Sequence, residues 1–200
     1  MAKNKKTQEE LETLEYIRHV KDLFPRLERI RLLALDVDGV LTDGTINIGD
    51  DGEAFKSFNA KDGLGISCAL RSGLQIALIT GRKSPIVHRR AEELGITLMC
   101  EGVRDKYTAL TMLYRSLGLQ QEEVAYMGDD LNDLPAFKAA GLAFAPDDGV
   151  GEVCGAADHI TFYPGGKGAV REIIELILRA QGKWNSLVDS YRQDGQGDQQ

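Results

Sequence analysis

Hydrophobic and polar positions divide this chain into two alternating kinds of segment. Short apolar runs, such as residues 32–35, 74–79 and 124–127, are typical of strands that are buried on both faces of a parallel sheet. Longer segments between them carry apolar residues at helical spacing, for example residues 64–70 and 170–177. This alternation predicts an α/β fold in which helices cover both faces of a mainly parallel sheet.

The two ends of the chain are expected to lie outside the core domain, to which we assign residues 29–182. Apolar residues at helical spacing predict one or two amphipathic helices within an extension formed by residues 1–28, with a break at Pro25. Residues 183–200 are expected to form a flexible tail, because the sequence becomes rich in Gln, Gly and Asp from Gln193 onward.

Residues 45–58 predict a β-hairpin, since the turn-forming residues 49–52 lie between two short strand-like runs. The hairpin carries four large apolar side chains, those of Ile46, Ile48, Phe55 and Phe58. This is more apolar surface than a free hairpin should expose. We therefore expect another surface to cover it.

Composition narrows the choice of partners. The 200 residues suffice for one α/β domain with a full core, and the net charge of −7 favours a small-molecule substrate over an extended nucleic-acid surface. Cys68, Cys100 and Cys154 form no CxxC pair, so neither a disulfide framework nor a zinc site is indicated. With no apolar leader and no run of membrane-spanning length, we expect a cytoplasmic protein.

The most informative change from apolar to polar comes at Asp36, directly after the apolar run of residues 32–35. Asp36 and Asp38 are two residues apart, so they can point to the same side of the carboxyl end of a strand, where open α/β sheets bind ligands. Two such carboxylates repel each other unless one takes a proton or a cation lies between them, and oxygen ligands favour Mg²⁺. The alternative for an isolated DxDG is a strand followed by an Asp-Gly turn.

Three further features favour a functional pair of carboxylates at Asp36 and Asp38 over an ordinary Asp-Gly turn. An apolar strand ends at Thr80, Lys106 begins a predicted helix, and the run GDDLND at residues 128–133 follows another strand. With DVDGV at residues 36–40, these features stand in the order of the four motifs of the haloacid dehalogenase-like phosphohydrolases, which the chain resembles. The resemblance implies a Rossmann-like three-layer fold.

The segments between these motifs are short. Residues 39–79 have room only for the hairpin and one helix, and residues 81–105 only for a helix and a strand. Neither can hold a cap domain, so the chain resembles the capless branch of the family. That resemblance implies a homotetramer in which neighbouring subunits help to close the site.

The resemblance also implies roles for the motif residues. Asp36 is the expected nucleophile, which forms an aspartyl-phosphate, and Asp38 is the expected general acid and base. Thr80 and Lys106 are expected to bind phosphoryl oxygens. The Mg²⁺ cofactor is expected to be held by Asp36, Asp129 and the backbone carbonyl of Asp38, with Asp133 and Asp130 orienting the groups around it.

Several alternatives stay open at this point. Asp130 is equally well explained as an acid at a helix N-terminus, and the GGKG run at residues 165–168 either begins a helix or binds an anion. A phospho-acceptor signalling domain also places aspartates, a Thr and a Lys around Mg²⁺. Such a signalling domain has no second acid two residues after the acceptor aspartate. The presence of Asp38 therefore favours an enzyme that turns over its substrate over a domain that stores the phosphoryl group. A catalytically silent scaffold is disfavoured because every motif residue is present.

Longer stretches give a narrower resemblance, to the phosphatases of 3-deoxy-D-manno-octulosonate 8-phosphate, which act in lipopolysaccharide precursor synthesis. FNAKDG at residues 58–63 and GGKGAVRE at residues 165–172 are its more specific signatures. Ser67 departs from the pattern, because that family often has a substrate-contacting arginine there. Phosphatases of nine-carbon sugar-acid 9-phosphates, such as those of sialic acid, are therefore the alternative. The resemblance implies the following substrate contacts besides Asp38 and Lys106: Asn59, Ala60, Lys61, Asp62, Gly63, Arg82 and Arg90.

Overall fold

The computed structural model describes the backbone of residues 8–194 and the side chains of residues 18–192. The strands are β1 (Leu32–Leu35), β2 (Asn47–Gly49), β3 (Gly52–Phe55), β4 (Gln75–Ile79), β5 (Leu98–Cys100), β6 (Val124–Met127), β7 (Leu142–Ala145) and β8 (His159–Ile160). The helices are α1 (Gln8–Leu27), α2 (Ala60–Arg71), α3 (Pro85–Leu94), α4 (Lys106–Ser116), α5 (Leu134–Ala139), α6 (Gly151–Cys154), α7 (Ala169–Ala180) and α8 (Trp184–Asp194). This order confirms the predicted alternation of strands and helices.

Six of the strands form one parallel sheet in the order β5-β4-β1-β6-β7-β8, and β2 and β3 form a separate antiparallel hairpin. β1 lies between β4 and β6, with Leu35 paired to Leu78 on one side and to Met127 on the other. The carboxyl ends of these three strands therefore lie side by side. The polar residues that follow each strand meet at one edge of the sheet.

The sheet separates two apolar layers, because successive side chains of a strand point to opposite faces. Leu33 and Leu35 of β1 pack with residues of α1, α2 and α7 on one face. Leu32 and Ala34 pack with residues of α4 and α5 on the other. The structure thus has the predicted three layers, helices over sheet over helices.

Both ends of the chain differ from expectation. α1 continues through Pro25, because the flanking Leu23 and Leu27 are buried in the core and hold the last turn in place; the predicted break is wrong. Residues 184–194 form a helix instead of a flexible tail, because Trp184 is buried and Leu187 and Val188 pack against the same core. Residues 1–7 and 195–200 lie outside the described part of the chain.

The connections around the motifs are short, as predicted. β1 and β4 are joined by the hairpin and α2, and β4 and α4 by α3 and β5, so no cap domain lies between the motifs. In the part of the chain that the structure describes, none of the helices combines the length and apolarity needed to cross a bilayer.

Candidate active site

A cavity of about 230 Å³ opens where β1, β4 and β6 end. Its lining combines carboxylates, a hydroxyl, a guanidinium group and glycines, contributed by Asp36, Asp38, Gly44, Ile46, Thr80, Gly81, Arg82, Asp129, Asp130 and Asn132. The sheet register brings these residues together from segments far apart in sequence. The pattern of strand ends predicted this meeting point for Asp36, Thr80 and Asp129.

Asp36 is almost fully buried at the floor of the cavity. Its Oδ2 lies 3.0 Å from the Lys106 Nζ, and its backbone N–H donates to the carbonyl oxygen of Met127 in β6. Burial and the nearby charge of Asp133 raise the pKa of Asp36 to about 6, although Lys106 acts in the opposite direction. The backbone of Asp36 is thus fixed to β6, and its carboxylate contacts Lys106 in an environment that favours partial neutralisation.

Lys106 begins α4 and is buried between two carboxylates. Its Nζ lies 2.6 Å from Asp133 Oδ1, in addition to the contact with Asp36. Burial alone would lower the pKa of Lys106, but the charges of Asp36 and Asp133 raise it, so the ammonium stays protonated. A fixed positive charge therefore lies beside the candidate nucleophile.

Asp133 is fully buried and receives four donors. Lys106 and the Tyr126 hydroxyl reach Oδ1 at 2.6 Å each, and the backbone N–H groups of Asp129 and Asp130 reach Oδ2 at 3.0 and 3.3 Å. Sequence reasoning missed Tyr126, because its ring fits the apolar pattern of β6 and only its hydroxyl is polar. With both oxygens occupied, Asp133 orients its neighbours and is not free to hold a metal ion.

Asp129 has the opposite character. Its Oδ1 is buried without a hydrogen-bond partner, and burial together with the charges of Asp36 and Asp133 raises the pKa of Asp129 to about 7. A carboxylate oxygen that is buried and unpaired needs a proton or a cation. Oxygens of Asp36, Asp129 and Asp133 lie within 4.8 Å of one another. Asp36 and Asp129 fit a hard divalent cation such as Mg²⁺, while Asp133 beside them keeps its four donors.

Asp38 lies at the rim of this cluster, and a lysine that the sequence did not single out contacts it. Lys56, which follows β3, donates to Asp38 Oδ1, while its Nζ lies 3.0 Å from Glu53 Oε1. Arg82 Nε is 4.0 Å from Asp38 Oδ2. No spacing rule links Lys56 to Asp38, so local sequence gave no signal for this pair.

Two other predicted residues line the cavity. Thr80 is buried, and its Oγ1 accepts from the backbone N–H of Arg82 at 3.3 Å. Asp130 is exposed, and its Oδ1 accepts from the backbone N–H of Leu131 at 2.7 Å at the start of a short 3-10 turn. Asp130 therefore has the capping role that its alternative interpretation predicted.

The segment of residues 59–63 does not line this cavity in one chain. Asn59 caps α2 by accepting from the backbone N–H of Lys61, and Lys61 lines a separate groove beside α7. Gly63 packs against Arg90, which lies over the Phe58 ring and pairs with Glu93. Ala60 and the half-buried Ser67 belong to α2 and are likewise absent from the lining.

The GGKG run of residues 165–168 packs around the carboxylate of Asp62. Its buried carboxylate accepts from the backbone N–H groups of Gly168 and Arg171 at 3.1 and 2.8 Å, at the N-terminus of α7. A carboxylate of the chain itself thus occupies the position that an external anion would take. Gly165 has no room for a side chain, because a Cβ there would lie 1.8 Å from the carbonyl oxygen of Gly39. The run is a packing element, and the anion-binding alternative is wrong.

Comparisons with known proteins agree with this geometry. A family model described as haloacid dehalogenase-like hydrolase matches residues 96–173. The chain is 48% identical to the 3-deoxy-D-manno-octulosonate 8-phosphate phosphatase of Escherichia coli strain K12 over 162 residues, which cover 81% of this chain and 86% of that protein.

Two solved structures show the same relationship. The cobalt-bound 3-deoxy-D-manno-octulosonate 8-phosphate phosphatase of Haemophilus influenzae has a TM-score of 0.78 and 47% identity, over 79% of this chain and 92% of that one. The Moraxella catarrhalis phosphatase was solved with a magnesium ion, a phosphate ion and 3-deoxy-D-manno-octulosonate. It has a TM-score of 0.83 and 42% identity, over 86% of this chain and 98% of that one.

Proposed function

Because the chain belongs to the 3-deoxy-D-manno-octulosonate 8-phosphate phosphatase family of haloacid dehalogenase-like hydrolases, we propose that it hydrolyses 3-deoxy-D-manno-octulosonate 8-phosphate to the free sugar acid and phosphate. The identity to the Escherichia coli enzyme extends over most of both chains. It favours a turnover enzyme over a phospho-acceptor signalling domain. The reaction is a step in lipopolysaccharide precursor synthesis.

In the first half-reaction, an oxygen of Asp36 attacks the phosphorus and the bond to the sugar oxygen breaks. Asp38 gives its proton to that oxygen, and the sugar acid leaves. The phosphoryl group remains on Asp36 as an aspartyl-phosphate. Lys106 and the Thr80 hydroxyl bind phosphoryl oxygens while charge redistributes.

In the second half-reaction, Asp38 takes a proton from a water molecule, whose oxygen attacks the phosphorus. The bond to Asp36 breaks, phosphate is released, and both aspartates return to their first states. Asp36, Asp129 and the backbone carbonyl of Asp38 would hold the Mg²⁺ ion, which when bound neutralises charge on the transferring phosphoryl group. Asp133 and Tyr126 keep Lys106 in place throughout.

One observation carries this proposal: Asp36 and the unpaired Asp129 meet at one sheet edge, with Lys106 fixed beside them. The test is phosphate release from 3-deoxy-D-manno-octulosonate 8-phosphate with Mg²⁺. Asp36→Asn should abolish turnover and aspartyl-phosphate formation, while Asp22→Asn, an exposed change on α1, should not. Substantial activity of Asp36→Asn would remove Asp36 as nucleophile. Absence of wild-type turnover would overturn the function.

Assembly is the second part of the proposal. In the hairpin, Ile48 and Phe55 are 77% and 56% exposed in a single chain, which leaves an apolar surface for a partner to cover. We propose a homotetramer built through the hairpins. Arg90 and residues 59–63 lie outside the cavity of their own chain, so they would reach substrate only at a neighbour's site.

A cytoplasmic location completes the proposal. The three cysteines are free, with Cys68 buried and Cys100 and Cys154 half-buried. Unpaired thiols of this kind fit a reducing compartment. Fractionation of cells that express the protein would test this.

A further inference from the structure

Lys56 is an unusual lysine for the exit of a hairpin. Its side chain is only 2% exposed, whereas most lysines keep the ammonium in water. A buried ammonium is costly unless it is paired and hydrogen-bonded. Lys56 has two carboxylate partners, Asp38 and Glu53. Burial alone would lower its pKa, but hydrogen bonds to Asp38 and Glu53 raise it, so Lys56 stays charged.

Glu53 in turn is fixed from its other side. The Ser84 hydroxyl donates to Glu53 Oε2, and Ser84 Oγ accepts from the backbone N–H of Val87 at 3.2 Å as the N-cap of α3. The contacts therefore run from the start of α3 through Glu53 to Lys56. Lys56 is held by the body of the domain and not by the hairpin alone.

The two carboxylate oxygens of Asp38 have different neighbours. Oδ1 accepts from Lys56. Oδ2 has Arg82 Nε at 4.0 Å, which is too far for a hydrogen bond, and Asp38 lines the cavity. Fixing one oxygen restricts rotation of the carboxylate about its last bond. Because Asp38 lines the cavity and Oδ1 is already held by Lys56, Oδ2 is the oxygen that can serve a leaving group there.

We propose that Lys56 is a positioning residue for Asp38, which it holds with Oδ2 facing the leaving oxygen of the substrate, and that Glu53 keeps Lys56 in that place. This rests on the proposed function, in which Asp38 is the proton donor. Lys56 itself touches no reacting atom. A purely structural role would only tie the hairpin to the domain.

The two roles differ in how the loss depends on the leaving group. An alkoxide needs a proton as it departs, but p-nitrophenolate leaves without one. Lys56→Met should lower kcat/KM, which reports the first half-reaction, by about 100-fold for the sugar-acid phosphate and for glycerol phosphate, and by less than about 3-fold for p-nitrophenyl phosphate, with no rise in KM, since general acid catalysis contributes roughly 10²–10⁴. Lys138→Met, on the exposed face of α5, is the matched control and should match wild type.

Glu53→Gln gives a second route to the same answer, because it weakens the hold on Lys56 and leaves the Lys56–Asp38 pair in place. It should show the same selectivity with a smaller loss, about 10-fold for alkyl phosphates. Circular dichroism and light scattering would verify that each variant is folded and assembled as wild type.

Equal losses for alkyl and aryl phosphates, a loss confined to KM, or no loss in Lys56→Met would each overturn the positioning role. If Lys56→Met fails to fold, the same criteria apply to Glu53→Gln. Failure of the wild type on the sugar-acid phosphate alone would overturn the proposed substrate, while the glycerol phosphate comparison would still decide the role of Lys56.

Discussion

Gly39 and Asp129 lie so close together that no side chain fits between them. A Cβ on Gly39 would lie 2.0 Å from Asp129 Oδ2, and the φ angle of Gly39 is 88°, in the region that favours glycine. The turn after Asp38 thus contacts Asp129, the candidate metal ligand that follows the neighbouring strand β6. Glycine at this position lets both carboxylate-bearing loops share one site.

Gly39→Ala should therefore damage the site beyond its effect on the backbone. The matched control is Gly118→Ala, because Gly118 has a φ of 71° and no atom near the position of a Cβ. Both variants should lose about 1–2 kcal/mol of stability from left-handed strain. Only Gly39→Ala should also lose Mg²⁺ binding and most activity, measured by calorimetry and phosphate release. Similar activity in the two variants would refute the close-contact argument.

Asp129 makes a prediction about stability in the absence of metal. Its pKa is raised from 3.8 to about 7, so the folded protein binds this proton more tightly than the unfolded chain does. The resulting stabilisation is fully present below the unfolded pKa and is lost as pH rises through about 7. At pH 8 the ionised Asp129 therefore destabilises the folded, metal-free protein.

Asp129→Asn should accordingly raise the melting temperature of the metal-free protein at pH 8 by a few degrees, with about 2–4 °C expected per kcal/mol for this size. The gain should shrink at pH 5, where the wild-type carboxyl is protonated. Mg²⁺ should stabilise the wild type and not the variant. Asp51→Asn, at an exposed turn, should show neither effect. A lower melting temperature of Asp129→Asn than of the wild type at pH 8 would contradict the destabilisation that we assign to the ionised Asp129.

Periodicity predicted the sheet edge well, because strand ends are local features. Asp36, Thr80 and Asp129 each follow a continuous apolar run, and parallel strands bring such positions to one edge whatever the intervening loops do. The mainly parallel sheet and its two helical layers followed from the same alternation, whereas the order of the strands was not predicted. This part of the site needed no knowledge of tertiary contacts.

Other contacts could not be predicted, because they join residues whose spacing carries no signal. Asp62 accepts from the backbone of Arg171, 109 positions away, and Lys56 reaches Asp38 across the hairpin. The C-terminal helix did have a local signal, since Trp184, Leu187 and Val188 stand at helical spacing. The polar composition after Gln193 outweighed it in the prediction of a flexible tail.

Assembly through the hairpin can be tested by charging its apolar face. Replacing Ile46 and Ile48 together by Asp should dissociate the homotetramer, because buried unpaired carboxylates are strongly disfavoured at an apolar interface. Activity on the sugar-acid phosphate should fall with it. Met112→Asp is the control, since Met112 is 67% exposed on α4, far in sequence from the hairpin. A monomeric wild type in light scattering would end the proposal, and dissociation by Met112→Asp alone would move the interface to α4.

Arginines at the site predict how the substrate's far end is recognised. Arg82 lines the cavity with its side chain 53% exposed, so its guanidinium is available to a sugar carboxylate, which it suits through bidentate hydrogen bonding. Arg90 is 22% exposed and pairs with Glu93 outside the cavity. Arg82 is therefore expected to act within one chain, and Arg90 only from a neighbour.

Arg82→Ala should lower kcat/KM for 3-deoxy-D-manno-octulosonate 8-phosphate by roughly 10–100-fold, since a charged hydrogen-bonded contact contributes about 1.5–3 kcal/mol. Turnover of p-nitrophenyl phosphate, which has no carboxylate, should change little. Arg90→Ala should show the same selectivity only while the tetramer is intact, and Arg89→Ala, whose side chain is 84% exposed, should match wild type. Better turnover of a nine-carbon sugar-acid 9-phosphate would identify that compound as the substrate. It would also explain why Ser67 stands where the octulosonate phosphatases often have a substrate-contacting arginine. Equal kcat/KM values for glucose 6-phosphate and both sugar acids would contradict carboxylate recognition altogether.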